Sequence, residues 1–126
     1  MNRRTPQILA LTILLPAAIC GSMVRAEEMF KLLSEKEIRA SVVGKDITDN
    51  THWANYLRPD GVLLSREMGR NWSGIWKIEN NKLCMSNPDL EGLICNEVWM
   101  SGSNIRLREH QDQETFDATV EKHRAD

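Results

Sequence analysis

Several common chemistries are missing from this chain. It carries no G-x-S-x-G, no Walker loop, no Rossmann glycines and no H-E-x-x-H, so the nucleophile, phosphate-cradle, dinucleotide and zinc arrangements that those spacings build are not written in it. No cluster of lysines and arginines is visible. Phosphate contact needs such a cluster, which argues against a nucleic-acid partner and against anionic membrane surfaces. The apolar stretch from Ile8 to Ile19, interrupted by Pro16, is about a dozen residues, short of the roughly 20 that span a bilayer. Cysteine is scarce, at three residues, and no two of them form C-x-x-C. Nothing calls for a cofactor or a metal.

What is present begins with the pattern of an export signal. Arg3 and Arg4 precede the apolar stretch, Val24 and Ala26 occupy the −3 and −1 positions of a cleavage site, and no acid occurs before Glu27. Thr5-Pro6 after the two arginines does not fit twin-arginine export. Cys20 follows Ile19, where a lipid-attachment signal wants a small residue, so lipidation at Cys20 ranks behind cleavage near Ala26. The expectation is a signal peptide at 1–26, a single domain at 27–126, and a periplasmic or secreted location without stable membrane insertion. The whole chain has net charge −2; losing three arginines and no acid leaves thirteen basic against eighteen acidic side chains, a net of −5.

Cleavage would also remove Cys20 and leave Cys84 and Cys95 in an oxidising compartment, where disulfides persist. Free thiols and a metal or redox pair are the alternatives. A zinc site needs about four ligands, and no histidine lies near these two. "KLCMS" and "LICNEVWM" read as two strands of a hairpin in which Cys84 can lie opposite Cys95. Closing a loop of this size stabilises a fold by about 3 kcal/mol in the chain-entropy picture.

The remainder reads as one short helix followed by β structure. In "LLSEKEIRASVVG", Ser34 and Glu37 form a capping box, Leu33 and Ile38 a hydrophobic staple, and Gly44 a stop. After Gly44, turn signals recur every eight to twelve residues, as in an antiparallel all-β unit. "HWANYL" and "VLLSREM" flank the turn "RPDG"; "WSGIWKIE" follows a break at "GRN" and leads into the hairpin asparagines Asn80 and Asn81. "SGSN" turns the chain once more, before "IRLRE" and "TFDATVEK". The reading is mainly β: an antiparallel meander of about seven strands curled into a small barrel or strongly bent sheet, calycin-like in outline, with the helix at one end. The expected core is Leu57, Val62, Leu64, Trp72, Trp76, Ile78, Leu83, Leu93, Cys95, Trp99, Ile105, Leu107 and Phe116. The tail "HRAD" reads as frayed, and His110 and His123 as too isolated to serve as ligands.

Taken together, "LSEKEIRASVVGKDI", "YLRPDGVL", "GIWKIENNKLCMS" and the second cysteine resemble a group of small exported Gram-negative bacterial proteins without an assigned activity. The resemblance runs from about Leu32 to Trp99. It implies a periplasmic location, a β-rich fold and a Cys84–Cys95 bridge, and it transfers no catalytic residues. "GIW" is also similar to the G-x-W of lipocalin-type barrels, but there the motif opens the first strand, whereas here it lies mid-chain.

Three places could carry chemistry or binding. Asp49 and His52, in "DITDNTHW", are spaced as an acid–base pair, although a polar loop feeding a strand has the same composition. Trp53 and Tyr56 beside them suggest an aromatic barrel mouth for a small ligand, a glycan or a protein partner. Ser101, in "MSGSN", is similar to the Ser-Gly loop with which periplasmic lysozyme inhibitors enter an enzyme cleft. The leading expectation is a non-enzymatic binding or interaction module. The alternatives are an inhibitor of a cell-wall hydrolase using the 100–104 turn and a small hydrolase or isomerase using His52 and Asp49.

Overall fold

A computed structural model describes residue 10, residues 12–14, residues 29–109 and residues 116–125. The expected signal segment, with Cys20 and the cleavage point at Ala26, lies outside the described residues except for those four positions. His110 and the side chain of Phe116 lie outside them too. Among the described residues no helix is long and apolar enough to cross a membrane.

Local chemistry sets the elements. After a two-residue strand β1 (Lys31–Leu32), Ser34 accepts the Glu37 N–H and Glu37 reaches back to the Ser34 N–H, so the capping box opens helix α1 (Glu35–Val42). Leu33, Ile38 and Val42 are buried on its inner face. Gly44 ends it with φ of +78°. Then come β2 (Lys45–Thr48), β3 (Trp53–Leu57), β4 (Val62–Glu67), β5 (Arg70–Glu79), β6 (Lys82–Ser86), β7 (Leu93–Ser101), β8 (Asn104–Arg108) and β9 (Phe116–Lys122).

From β2 to β9 each strand pairs antiparallel with the next, and β9 returns to pair with β2 through Lys45↔Lys122 to Thr48↔Thr119. The result is a closed eight-stranded barrel, with β1 added alongside β7. The hairpin turns explain the register. Arg58 and Val62 bracket "RPDG", with the Gly61 N–H donating to the Arg58 carbonyl at 3.0 Å. Asn80 and Asn81 both hold positive φ, as a two-residue type I′ turn requires. Met68 and Gly69 form a similar turn, so the strand expected to run through Met68 stops at Glu67, and the next begins at Arg70.

Helix α1 lies across the end of the barrel marked by the start of β2, the end of β3 and the β5–β6 turn. The Gly44 N–H donates to the Leu57 carbonyl (2.7 Å), and Asn81 and Glu35 exchange two hydrogen bonds. Ile38 and Val42 of the helix and, beneath it, Ile47, Leu57, Leu63, Leu83, Val98 and Ile105 are fully buried. Two strands have the opposite parity to the expected one. In β4, Leu63 faces inward, and Leu64 is 39% exposed on the outside. In β7, Val98 is inside, while Leu93, Cys95 and Trp99 are half-buried on the other face. "VLL" and "LIC" are continuous apolar runs, which carry no alternation to set parity.

Cys84 and Cys95 sit opposite each other in the β6–β7 ladder and are joined as a disulfide. One close approach fixes where β5 leaves β6. The Ser86 hydroxyl accepts the Ile75 N–H (2.9 Å) and donates to the Ile75 carbonyl (3.2 Å). A Cβ on Gly74 would lie 2.5 Å from the Ser86 Cβ.

Gly74→Ala is therefore expected to destabilise the protein by about 1–3 kcal/mol through overpacking, measured as a lower urea midpoint at unchanged slope. The double variant Cys84→Ala/Cys95→Ala is expected to lose about 2–4 kcal/mol. Reduction of the wild type should lower its urea midpoint in the same direction and leave that of the double variant unmoved.

Candidate functional site

Among the described residues, no helix covers the end of the barrel away from α1. Its inner wall follows from strand parity. Above the buried pair Leu57↔Leu63 comes Asn55↔Ser65, and above that Trp53↔Glu67. Ser65, only 3% exposed, donates its hydroxyl hydrogen to Asn55 Oδ1 at 2.7 Å. That satisfies two polar groups which would otherwise be costly in a barrel interior. Trp72 of β5 is opposite Ser65; Met85 of β6 faces Ile94 of β7, and Asn96 lies next along β7. Ser86, Asn87, Pro88 and Asp89, in and after the end of β6, form the lip.

These residues enclose a cavity of about 390 Å³, within the size range of small-molecule sites. It combines two indoles and the apolar side chains of Met85, Pro88 and Ile94 with neutral hydrogen-bonding groups and two carboxylates, Glu67 and Asp89. The Trp72 Nε1–H is buried and has no hydrogen-bond partner among the described residues. Trp76, deeper in the same strand, donates its Nε1–H to the Arg58 carbonyl at 2.9 Å.

A second concavity lies on the outer face of β2 to β5. It measures about 400 Å³ and is lined by Asp46, Tyr56, Leu64, Arg66, Asn71 and the tail residues His123 and Arg124, among others. Here the tail is held, not frayed. His123 Nδ1 is 2.8 Å from Asp46 Oδ1, the Arg124 N–H donates to Asp46 Oδ2 at 3.3 Å, and the His123 ring stacks on Tyr56 with centroids 3.5 Å apart. The isolated look of His123 in the sequence reflects distance along the chain alone: Asp46 is 77 positions away. Two pairings, Tyr56↔Asp46 across β2 and β3 and Lys45↔Lys122 across β2 and β9, invisible before the strands are paired, bring the three groups together.

The candidate residues therefore separate. Trp53 lines the inner cavity, whereas Tyr56, three residues on, faces outward, so the two do not share a mouth. Ser101 ends β7, at the opposite end of that nine-residue strand from the lip at Leu93. It pairs with Asn104 across a tight two-residue turn.

Asp49 and His52 are adjacent in the β2–β3 connection, but the geometry is that of a loop knot. Asp49 Oδ1 accepts the N–H groups of Thr51, His52 and Trp53 at 2.9, 2.7 and 3.1 Å, and Oδ2 meets His52 Nδ1 at 3.0 Å. Desolvation pushes the Asp49 carboxyl up, but these three backbone donors and the His52 ring outweigh it and hold the group well below the usual carboxylate range. A carboxylate so fully engaged is a weak proton acceptor.

Elsewhere, Glu79, Cys84 and Cys95 place potential ligand atoms within 4.8 Å of one another. The two sulfurs are bonded to each other, so one carboxylate is all that the group offers a metal.

Because the Asp49 pKa is depressed on folding, its contribution to stability is fully present above the ordinary value of 3.8 and is lost as pH falls below it. Asp49→Asn is thus expected to lower the melting temperature at pH 7, with the gap from wild type narrowing steadily between pH 4 and pH 2. No family model, curated protein or solved structure matches the chain.

Proposed function

We propose that the protein is a non-enzymatic binding module of the periplasm or extracellular space that takes a small ligand into the open end of its barrel. The observation carrying this reading is the cavity of about 390 Å³ walled by Trp53, Trp72, Met85 and Ile94 over the Asn55–Ser65 pair. An apolar wall with a few convergent polar groups is what a specific small-molecule pocket needs. The disulfide fits an oxidising compartment. The resemblance to small exported proteins and the form of the N-terminus support the same location.

The two alternatives have less behind them. Asp49 and His52 lie in the β2–β3 connection, with the carboxylate bonded to three backbone N–H groups, and neither lines the inner cavity. The turn at 101–104 is a two-residue hairpin, and neither the inner cavity nor the outer concavity involves it.

The test is a titration of tryptophan emission in the purified domain with Nile red, a neutral apolar probe, checked by heteronuclear NMR shifts. Saturable binding with shifts confined to β3, β4, β5 and β7 near Trp53 and Trp72 is expected. Trp53→Leu should weaken it roughly two- to tenfold, as loss of an aromatic contact worth about 0.5–1.5 kcal/mol beyond its buried area implies. Absence of saturable binding, or shifts centred on the outer face near Tyr56, would overturn the reading.

A further inference from the structure

We infer that the ligand of the barrel mouth is an organic cation, an ammonium group on a compact apolar body. The inference rests on the binding-module reading above and goes beyond it to the chemical class.

Among the described residues the charge of the cavity has one sign. Of the twelve described residues that line it, Glu67 and Asp89 are charged, and none is lysine, arginine or histidine. Both carboxylates are on exposed residues. Neither side chain makes an ion pair or hydrogen bond among the described residues. Arg70 pairs with Glu67 across the β4–β5 turn, but it lines the adjoining cleft, which shares Glu67, Trp72, Pro88 and Asp89 with the cavity. Arg66, next to Glu67 in sequence, likewise lines neighbouring concavities that share Trp72 or Trp53 with the cavity, and not the cavity itself.

Carboxylates at a mouth would suit water alone. The indoles beside them argue for more. Trp53 is the cross-strand partner of Glu67, and Trp72 lines both the cavity and the cleft. Indole faces carry the negative part of the ring quadrupole and attract ammonium groups, most strongly where water is displaced. Two indoles flanked by two carboxylates combine ring-face attraction with direct charge. They disfavour an anionic ligand on both counts.

The rest of the wall adds the other features. Met85, Ile94 and Pro88 suit a compact apolar body. The buried Trp72 Nε1–H lacks an acceptor among the described residues, and a buried donor left unpaired is costly. Asn55 and Asn96 can pair with either a donor or an acceptor.

The experiment compares three probes of nearly one shape: choline (cationic), 3,3-dimethylbutan-1-ol (neutral) and 3,3-dimethylbutyrate (anionic). Each is titrated by tryptophan emission and by displacement of Nile red. Choline is expected to bind roughly fivefold to thirtyfold more tightly than the neutral alcohol, as ring-face attraction plus carboxylate charge imply. The anion should bind most weakly. Raising ionic strength should shrink the preference for choline without touching the alcohol. Glu67→Gln/Asp89→Asn should reduce the preference about tenfold or to nothing, read as the ratio of choline to alcohol affinity on that same variant.

If the alcohol binds as tightly as choline, or choline fails to displace bound Nile red, the charge inference is wrong and the cavity reading stands. If none of the four probes gives saturable binding, the cavity reading falls and the inference falls with it. If choline is preferred but the double carboxylate variant keeps the full preference, the assigned residues are wrong and the inference is overturned.

Discussion

Four residue pairs between β2 and β9 turn a string of hairpins into a vessel. Every other ladder of the barrel joins strands that follow each other in sequence, with short turns between most of them. Pairing Lys45–Thr48 with Thr119–Lys122 joins segments more than seventy residues apart and removes both free sheet edges from the barrel. An inside and an outside exist only because of that closure. Ile47 of β2 then becomes fully buried, and Val120, its partner on β9, becomes nearly so.

Once the barrel is closed, its interior is divided between two tasks. The end under α1 is filled by fully buried aliphatic side chains, held by the capped helix and by its hydrogen bonds to the β5–β6 turn. The other end gives up part of that packing. Asn55, Ser65 and Asn96 occupy inward positions where leucine or valine would pack better, and Trp53 and Trp72 are only partly covered. The Asn55–Ser65 hydrogen bond limits the cost. Polar side chains on the inner wall of a small barrel weaken its core, and a pocket is a sufficient reason for them to be there.

Features that depend on neighbours in sequence were legible. The Ser34–Glu37 capping box, the "RPDG" and "NN" turns and the cysteine pair across one hairpin all follow from local geometry, and the antiparallel meander follows from their spacing. Features that depend on distant partners were not. Strand β2 is four residues long, with two polar side chains, Asp46 and Thr48, buried beside aliphatic Ile47; read alone, it looks like the start of a polar loop. Strand β1 is shorter still and exists because β7 is there to pair with it. Trp53 could be singled out as a mouth residue because tryptophan beside a polar turn is conspicuous. Glu67, Asp89 and Asn96 could not, because nothing in their own segments distinguishes a cavity wall from an ordinary solvated face.

The disulfide fastens neighbours: its cysteines are eleven positions apart, on strands already joined by a short loop. It therefore does nothing to bring the two chain-distant edges of the β2–β9 junction together. On the outer side of that junction the Asp46–His123 contact and the stacking of His123 on Tyr56 act as a clasp, with His123 and Arg124 folded over the strand that their own strand has just joined. Covalent and noncovalent fastening thus protect different parts of the molecule. Breathing motions will concentrate where the sulfur bridge has no leverage, and anything fused to the carboxyl terminus will pull on the seam before it strains any other joint.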